Sequence, residues 1–175
     1  MSLTAAQAYR ENLFALLGDH DPLDVLAQTP SRLDGVIRAC TVNELRARAF
    51  EGKWTPNEII GHLVDGEWVY GYRLRLVLCE DAATILGTTQ DAWVQRQRHN
   101  EREPSEQLEI FRALRGFNVA VWRRVSPADL TRTGRHNERG DEPLAVMLRM
   151  QAGHDLSHLN QIDRYLRAIR EHARG

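Results

Sequence analysis

Cysteine is nearly absent: Cys40 and Cys79 stand far apart, and neither has a second thiol at metal-ligand or redox spacing. That excludes a disulfide framework and a thiolate metal site, and leaves two free thiols expected to be buried. Lysine is scarcer still, with Lys53 alone against 22 arginines, yet the net charge is −1 and acids accompany the arginines, as in Glu101-Arg102-Glu103. Without a basic block, nucleic acid is not an expected partner. Long apolar runs are missing as well. No window approaches the roughly 20 apolar residues that span a bilayer, and Met1 to Arg10 lacks the features of a secretory signal, so a cytoplasmic protein without a membrane role is expected.

Sustained alternation of apolar and polar residues is also lacking, and what remains is helical periodicity along a chain of 175 residues and 20.0 kDa. An all-α fold in a single domain, 1–175, is expected. A first helix spans about Thr4 to Leu17, capped by Ser2 or Thr4 and ended by Gly18-Asp19. Short helical pieces are expected after Asp21 and Thr29, and Asn43 can cap another turn. In Thr55-Pro56-Asn57-Glu58 the threonine caps, the proline opens the helix and the glutamate completes a capping box. That helix continues to about Cys79. A weaker segment spans Gln90 to Asn100, another helix runs from Pro104 to about Val125, and polar Thr131 to Gly140 reads as a loop. The last helix begins near Asp141 or Glu142, with Pro143 in its first turn, and reaches about Arg170.

His154 and His158, four residues apart, put two imidazoles on one face of that last helix, in a strip with Met147, Gln151, Gln161 and Tyr165. His62 lies in a matching strip on the helix from Pro56, with Glu58, Asp65, Gly66, Val69 and Arg73. Two such strips meeting across a bundle bring three neutral imidazoles to one divalent metal and leave coordination positions open. Imidazole suits zinc, nickel, copper or iron; zinc or nickel is expected. Gly61, Gly66, Gly71 and Gly153 cost helix propensity, so close packing or cavity space is expected around them, with Gly66 the candidate for making room beside His62.

The segments Trp54-Thr55-Pro56-Asn57-Glu58-Ile59-Ile60-Gly61-His62-Leu63-Val64-Asp65 and His154-Asp155-Leu156-Ser157-His158-Leu159-Asn160-Gln161-Ile162 together resemble the DinB-like family of metal-binding helical bundles. Asp21-Pro22-Leu23 and Thr29-Pro30 add weaker support. The resemblance covers nearly the whole chain. It implies an up-and-down four-helix bundle with extra short helices, a metal held by His62, His154 and His158, and assembly as a homodimer. Characterised relatives include thiol S-transferases that use bacillithiol or mycothiol and a thiol-requiring maleylpyruvate isomerase. It therefore implies transfer of a low-molecular-weight thiol to an electrophilic small molecule in a stress response. A metal-dependent hydrolase and a non-catalytic metal-binding stress protein are the alternatives.

Glu58, Asp65, Asp155 and Gln161 are candidates to orient an imidazole or a water, since ligating histidines donate their second ring N–H to a carboxylate or carbonyl. Asp155 projects about 100° away from His154 and would need a buried partner there. Arg73 is a candidate for a cosubstrate carboxylate, and His136 with Asn137 for a lid over the groove. The His-Asp-x-x-His stretch approximates the zinc-peptidase pattern, but aspartate replaces the longer general base and no downstream extension follows.

Overall fold

Three of the helix starts, those that follow Asp21, Thr41 and Thr55, carry side-chain caps. In the computed structural model, which describes residues 3–174, α1 (Leu3–Leu17) ends at Gly18, whose φ of +54° is left-handed. Ser2 lies outside the described residues, and Thr4 sits inside the helix rather than capping it. α2 (Pro22–Arg38) begins with Asp21 accepting from the Asp24 backbone N–H at 3.0 Å. The break expected at Thr29-Pro30 does not occur. Thr29 donates its hydroxyl to the Val25 carbonyl instead of capping, and the Leu26 carbonyl that Pro30 cannot serve accepts from the Arg115 guanidinium at 2.7 Å. A donor from another helix thus keeps α2 whole.

α3 (Val42–Arg46) is capped by Thr41, in a reciprocal capping box with Glu44, rather than by Asn43. α4 (Pro56–Cys79) starts as expected: the Glu58 backbone N–H donates to the Thr55 hydroxyl at 3.1 Å, and the Glu58 carboxylate accepts from the Thr55 backbone at 2.6 Å. The segment from Gln90 divides into α5 (Gln90–Arg96) and a 3₁₀ turn at His99–Glu101, because Arg98 takes a φ of +55° between them. α6 (Pro104–Trp122) is shorter than expected, and α7 (Leu144–His172) begins after Pro143 rather than at Asp141.

The stretch expected as a polar loop is instead a hairpin. β2 (Thr133–His136) and β3 (Gly140–Pro143) pair antiparallel, and β1 (Thr84–Ile85) joins β2 in parallel. Burial alternates along β2, with Gly134 and His136 inside and Thr133 and Arg135 outside. Because neither inward residue is a conventional apolar one, hydrophobic patterning does not reveal the strand. His136 is therefore a buried sheet residue and not part of a lid; the Asn137 side chain accepts from the Gly87 backbone at 2.9 Å.

Four long helices form the bundle, in the ring order α2, α6, α4, α7, with α1 packed on α7. The connections from α2 to α4 and from α6 to α7 therefore cross the bundle. Two apolar clusters fill it, one around Leu33, Ile59, Phe111 and Ile162 and the other around Leu26, Leu74, Trp122 and Met147. A polar layer lies between them. Arg115, almost fully buried, pairs with Glu67 and Asp155, each at 2.6 Å, and Gln151 and Asn118 donate to the Glu67 carboxylate at 2.7 and 2.9 Å.

The cysteines are less covered than expected. Cys79, the last residue of α4, is exposed, and Cys40 is half-buried with its sulfur accepting from Arg170 at 3.2 Å. Among the described residues, no helix is long and apolar enough to cross a membrane.

Candidate metal centre

Two helices bring the three histidines together. His62, in the second turn of α4, and His154 and His158, one turn apart on α7, meet where those helices pack in the ring. The Nε2 atom of His154 lies 3.0 Å from Nε2 of His62 and 3.1 Å from Nε2 of His158, and potential ligand atoms of the three lie within 4.8 Å of one another.

Burial holds the rings neutral. It pushes His62 down to about 3, helped by the nearby His158 and His99, and it pushes His154 well below the ordinary imidazole range, with His158, His62 and Arg115 adding to the effect. His158 is lowered by burial too, partly offset by its hydrogen bond to Gln161 and by Asp155. The His158 Nδ1–H donates to Gln161 Oε1 at 2.8 Å, while Gln161 Nε2 donates to the Tyr165 hydroxyl at 3.0 Å. With Nδ1 carrying the proton, Nε2 of His158 has a free lone pair aimed at His154. Three neutral imidazole nitrogens gathered this closely are a donor set that fits a divalent cation. The ring of Trp54, with its centroid 4.7 Å from that of His62 and 6.3 Å from that of His158, covers another side of the cluster.

His62 and His154 open onto a cavity of about 490 Å³. Gly66 lines it, and a Cβ there would meet His154 Cε1 at 3.8 Å, an ordinary contact; the glycine widens the cavity but is not forced by packing. Gly61, Gly71 and Gly153 are the close-packed ones, against His99, Asn118 and the Leu13 backbone.

Of the candidate orienting residues, Gln161 alone bonds a histidine of the trio. Glu58 caps its helix and pairs with Arg48 at 3.3 Å. Asp155 has the buried partner its direction demanded, in Arg115. Asp65 lines the cavity but accepts from Gln97 at 2.9 Å and from His99 Nε2 at 2.8 Å, rather than from a histidine of the trio. Arg73 also lines the cavity, donating to the Leu86 carbonyl at 2.6 Å.

Sequence patterning missed His99, Arg115 and Glu67. Arg115 carried a readable signal, since it interrupts the apolar stripe Leu108, Phe111, Val119, Trp122 of α6, where an arginine demands a buried acid. His99 carried none, because a turn with left-handed Arg98 aims it.

The family model of the DinB superfamily matches residues 26–162. "Putative metal-dependent hydrolase YfiT" of Bacillus subtilis is 22% identical over 146 residues, covering 81% of this chain and 82% of that protein. "Putative metal-dependent hydrolase OB0782" of Oceanobacillus iheyensis is 30% identical over 112 residues, covering 63% and 64% respectively. The solved structure of YfiT, titled as a "probable metal-dependent hydrolase with an unusual four-helix bundle topology", superposes with a TM-score of 0.74 over 82% of this chain and 84% of that one, at 22% identity.

Proposed function

The chain belongs to the DinB superfamily, and from that premise we propose an enzyme that holds zinc or nickel on His62, His154 and His158 and transfers a low-molecular-weight thiol to an electrophilic small molecule. The observation that carries this reading is the convergence of three neutral imidazole nitrogens beside a cavity with room for a substrate. A divalent cation supplies positive charge that stabilises a thiolate at neutral pH or lowers the pKa of a water.

The chain's own groups serve that chemistry. Gln161 fixes the His158 tautomer, so that Nε2 is the donor atom. Trp54 shields the imidazoles from one side. Asp65, oriented by Gln97 and His99, presents a carboxylate on the cavity wall that can accept the proton of an incoming thiol. Hydrolysis, with water in place of the thiol, is the second reading, and the names of the relatives, as metal-dependent hydrolases, favour it.

One experiment separates the readings. Metal-loaded protein is assayed for conjugation of small thiols to a chloroaromatic electrophile, and in parallel for cleavage of esters and amides without thiol. Conjugation that requires both thiol and metal, and that disappears together with stoichiometric metal uptake in His62→Ala, is the expected result. Ester or amide cleavage without thiol would identify a hydrolase, and metal uptake with neither activity would favour a non-catalytic metal-binding protein.

A further inference from the structure

The cavity runs along α4. His62, Gly66, Val69 and Arg73 recur at four, seven and eleven residues on one helical face, so the wall extends about three turns, roughly 16 Å of helix axis, with the histidines at one end and Arg73 at the other. Side chains tilt towards the helix N-terminus, which brings the guanidinium back towards the histidines. Tyr70 stands between the two, its ring centroid 6.1 Å from that of His154 and 5.8 Å from the Arg73 guanidinium carbon. The cation is therefore no farther from the His154 ring than those two spans laid end to end.

Arg73 is 6% exposed, and among the described residues its one hydrogen-bond partner is the Leu86 carbonyl, with no carboxylate at ion-pairing distance. The other charges around the cavity are answered or peripheral. Arg139 is paired with Glu142, Asp65 is held by Gln97 and His99, and Glu138 and Asp91 are exposed; Glu138 and Glu142 act on the Arg73 guanidinium through space without touching it. A buried guanidinium with five donors and no carboxylate in contact is a poor structural choice and a good receptor for a planar anion.

We propose that Arg73 binds a carboxylate of the small molecule that enters this cavity, so that the enzyme selects a ligand carrying that anion one cavity length away from its reacting atom. This rests on the reading that the reaction takes place at the three histidines. Arg73 is a specificity-determining residue rather than a catalytic one.

Calorimetric titration with three thiols tests it, on protein with and without one equivalent of zinc. The thiols are 6-mercaptohexanoate, whose carboxylate can reach across the cavity, its uncharged analogue 6-mercaptohexanol, and mercaptoacetate, whose carboxylate cannot reach. The wild-type protein should bind 6-mercaptohexanoate at least about tenfold more tightly than the other two, the worth of one charge-assisted contact. Arg73→Gln should bring the hexanoate and hexanol affinities together while zinc stoichiometry stays unchanged, and Arg73→Lys, which keeps the charge but not the fork, should fall between. An unchanged preference in Arg73→Gln with zinc uptake intact, or no binding of the hexanoate by the wild-type protein, overturns the inference. Preference for the hexanoate that depends on Arg73 in a chain that takes up no zinc would instead leave the carboxylate site standing and remove the metal reading.

Discussion

At the residue scale, the centre depends on which nitrogen of each imidazole carries its proton. Gln161 decides this for His158, accepting from Nδ1 while its own amide nitrogen donates to Tyr165. If the three histidines hold zinc as proposed, Gln161→Leu should weaken its binding by about tenfold or more without unfolding the chain, whereas Gln161→Glu should retain it; competition with a chromophoric chelator measures both. A second titratable group lies away from the trio, in the sheet. His136 is buried, its Nδ1 accepts from the Glu138 backbone at 3.1 Å, and its Nε2 has no partner among the described residues. Burial pushes it down to about 4 from an ordinary 6.5; Arg139 and Arg73 act in the same direction, against the opposing pull of Glu142 and Glu138. The unfolded chain thus takes up this proton first. The contribution of His136 is intact above about pH 6.5 and is lost progressively as pH falls towards 4. Urea titrations at pH 7 and pH 4.5 should show a smaller loss of stability on acidification for His136→Gln than for the wild type.

At the element scale, glycines mark where one helix approaches another. Gly153 in α7 faces the Leu13 carbonyl of α1, which cannot move aside as a flexible side chain would. Gly153→Ala should destabilise by about 1–3 kcal/mol through overpacking. Gly66 in α4 faces open cavity, so Gly66→Ala should be neutral or stabilising by up to about 1 kcal/mol, the gain in helix propensity. Chemical denaturation of the two variants side by side measures that contrast. A loss at Gly66 as large as that at Gly153 would contradict the cavity geometry. The continuity of α2 across Pro30 belongs to the same scale, since the Leu26 carbonyl has lost its helical donor and found one in Arg115.

Across the whole molecule, Arg115 joins parts that are distant along the chain. From α6 it reaches α2 through the Leu26 carbonyl, α4 through Glu67 and α7 through Asp155, so one guanidinium touches every other helix of the ring. It also bonds Asp155, the residue that follows His154, and so ties together the two helices that carry the three histidines. Arg115→Leu leaves two buried carboxylates uncompensated and should cost about 3–5 kcal/mol, read as a lower urea midpoint. The triple variant Arg115→Leu, Glu67→Gln, Asp155→Asn should recover part of that loss. No recovery would show that shape rather than charge compensation is what the layer provides.

Local signals along the chain determined the helices that begin at Asp21 and Thr55, the helical periodicity of the long segments, and the placement of His154 and His158 on one face. Each depends on residues within a turn or two of one another, where capping hydrogen bonds and the helical repeat act directly. Tertiary structure decided what depends on distant partners. Pro30 was tolerated because Arg115 supplied a donor; a strand formed from Thr133 to His136 because the core accepted a glycine and a neutral histidine; and Asp65 turned to His99 while Asp155 turned to Arg115. The meeting of His62 with the other two histidines is of this second kind. Spacing can aim an imidazole, but only packing of α4 against α7 brings its nitrogen to within 3.0 Å of another, because that distance is set by the side chains filling the space between two helices.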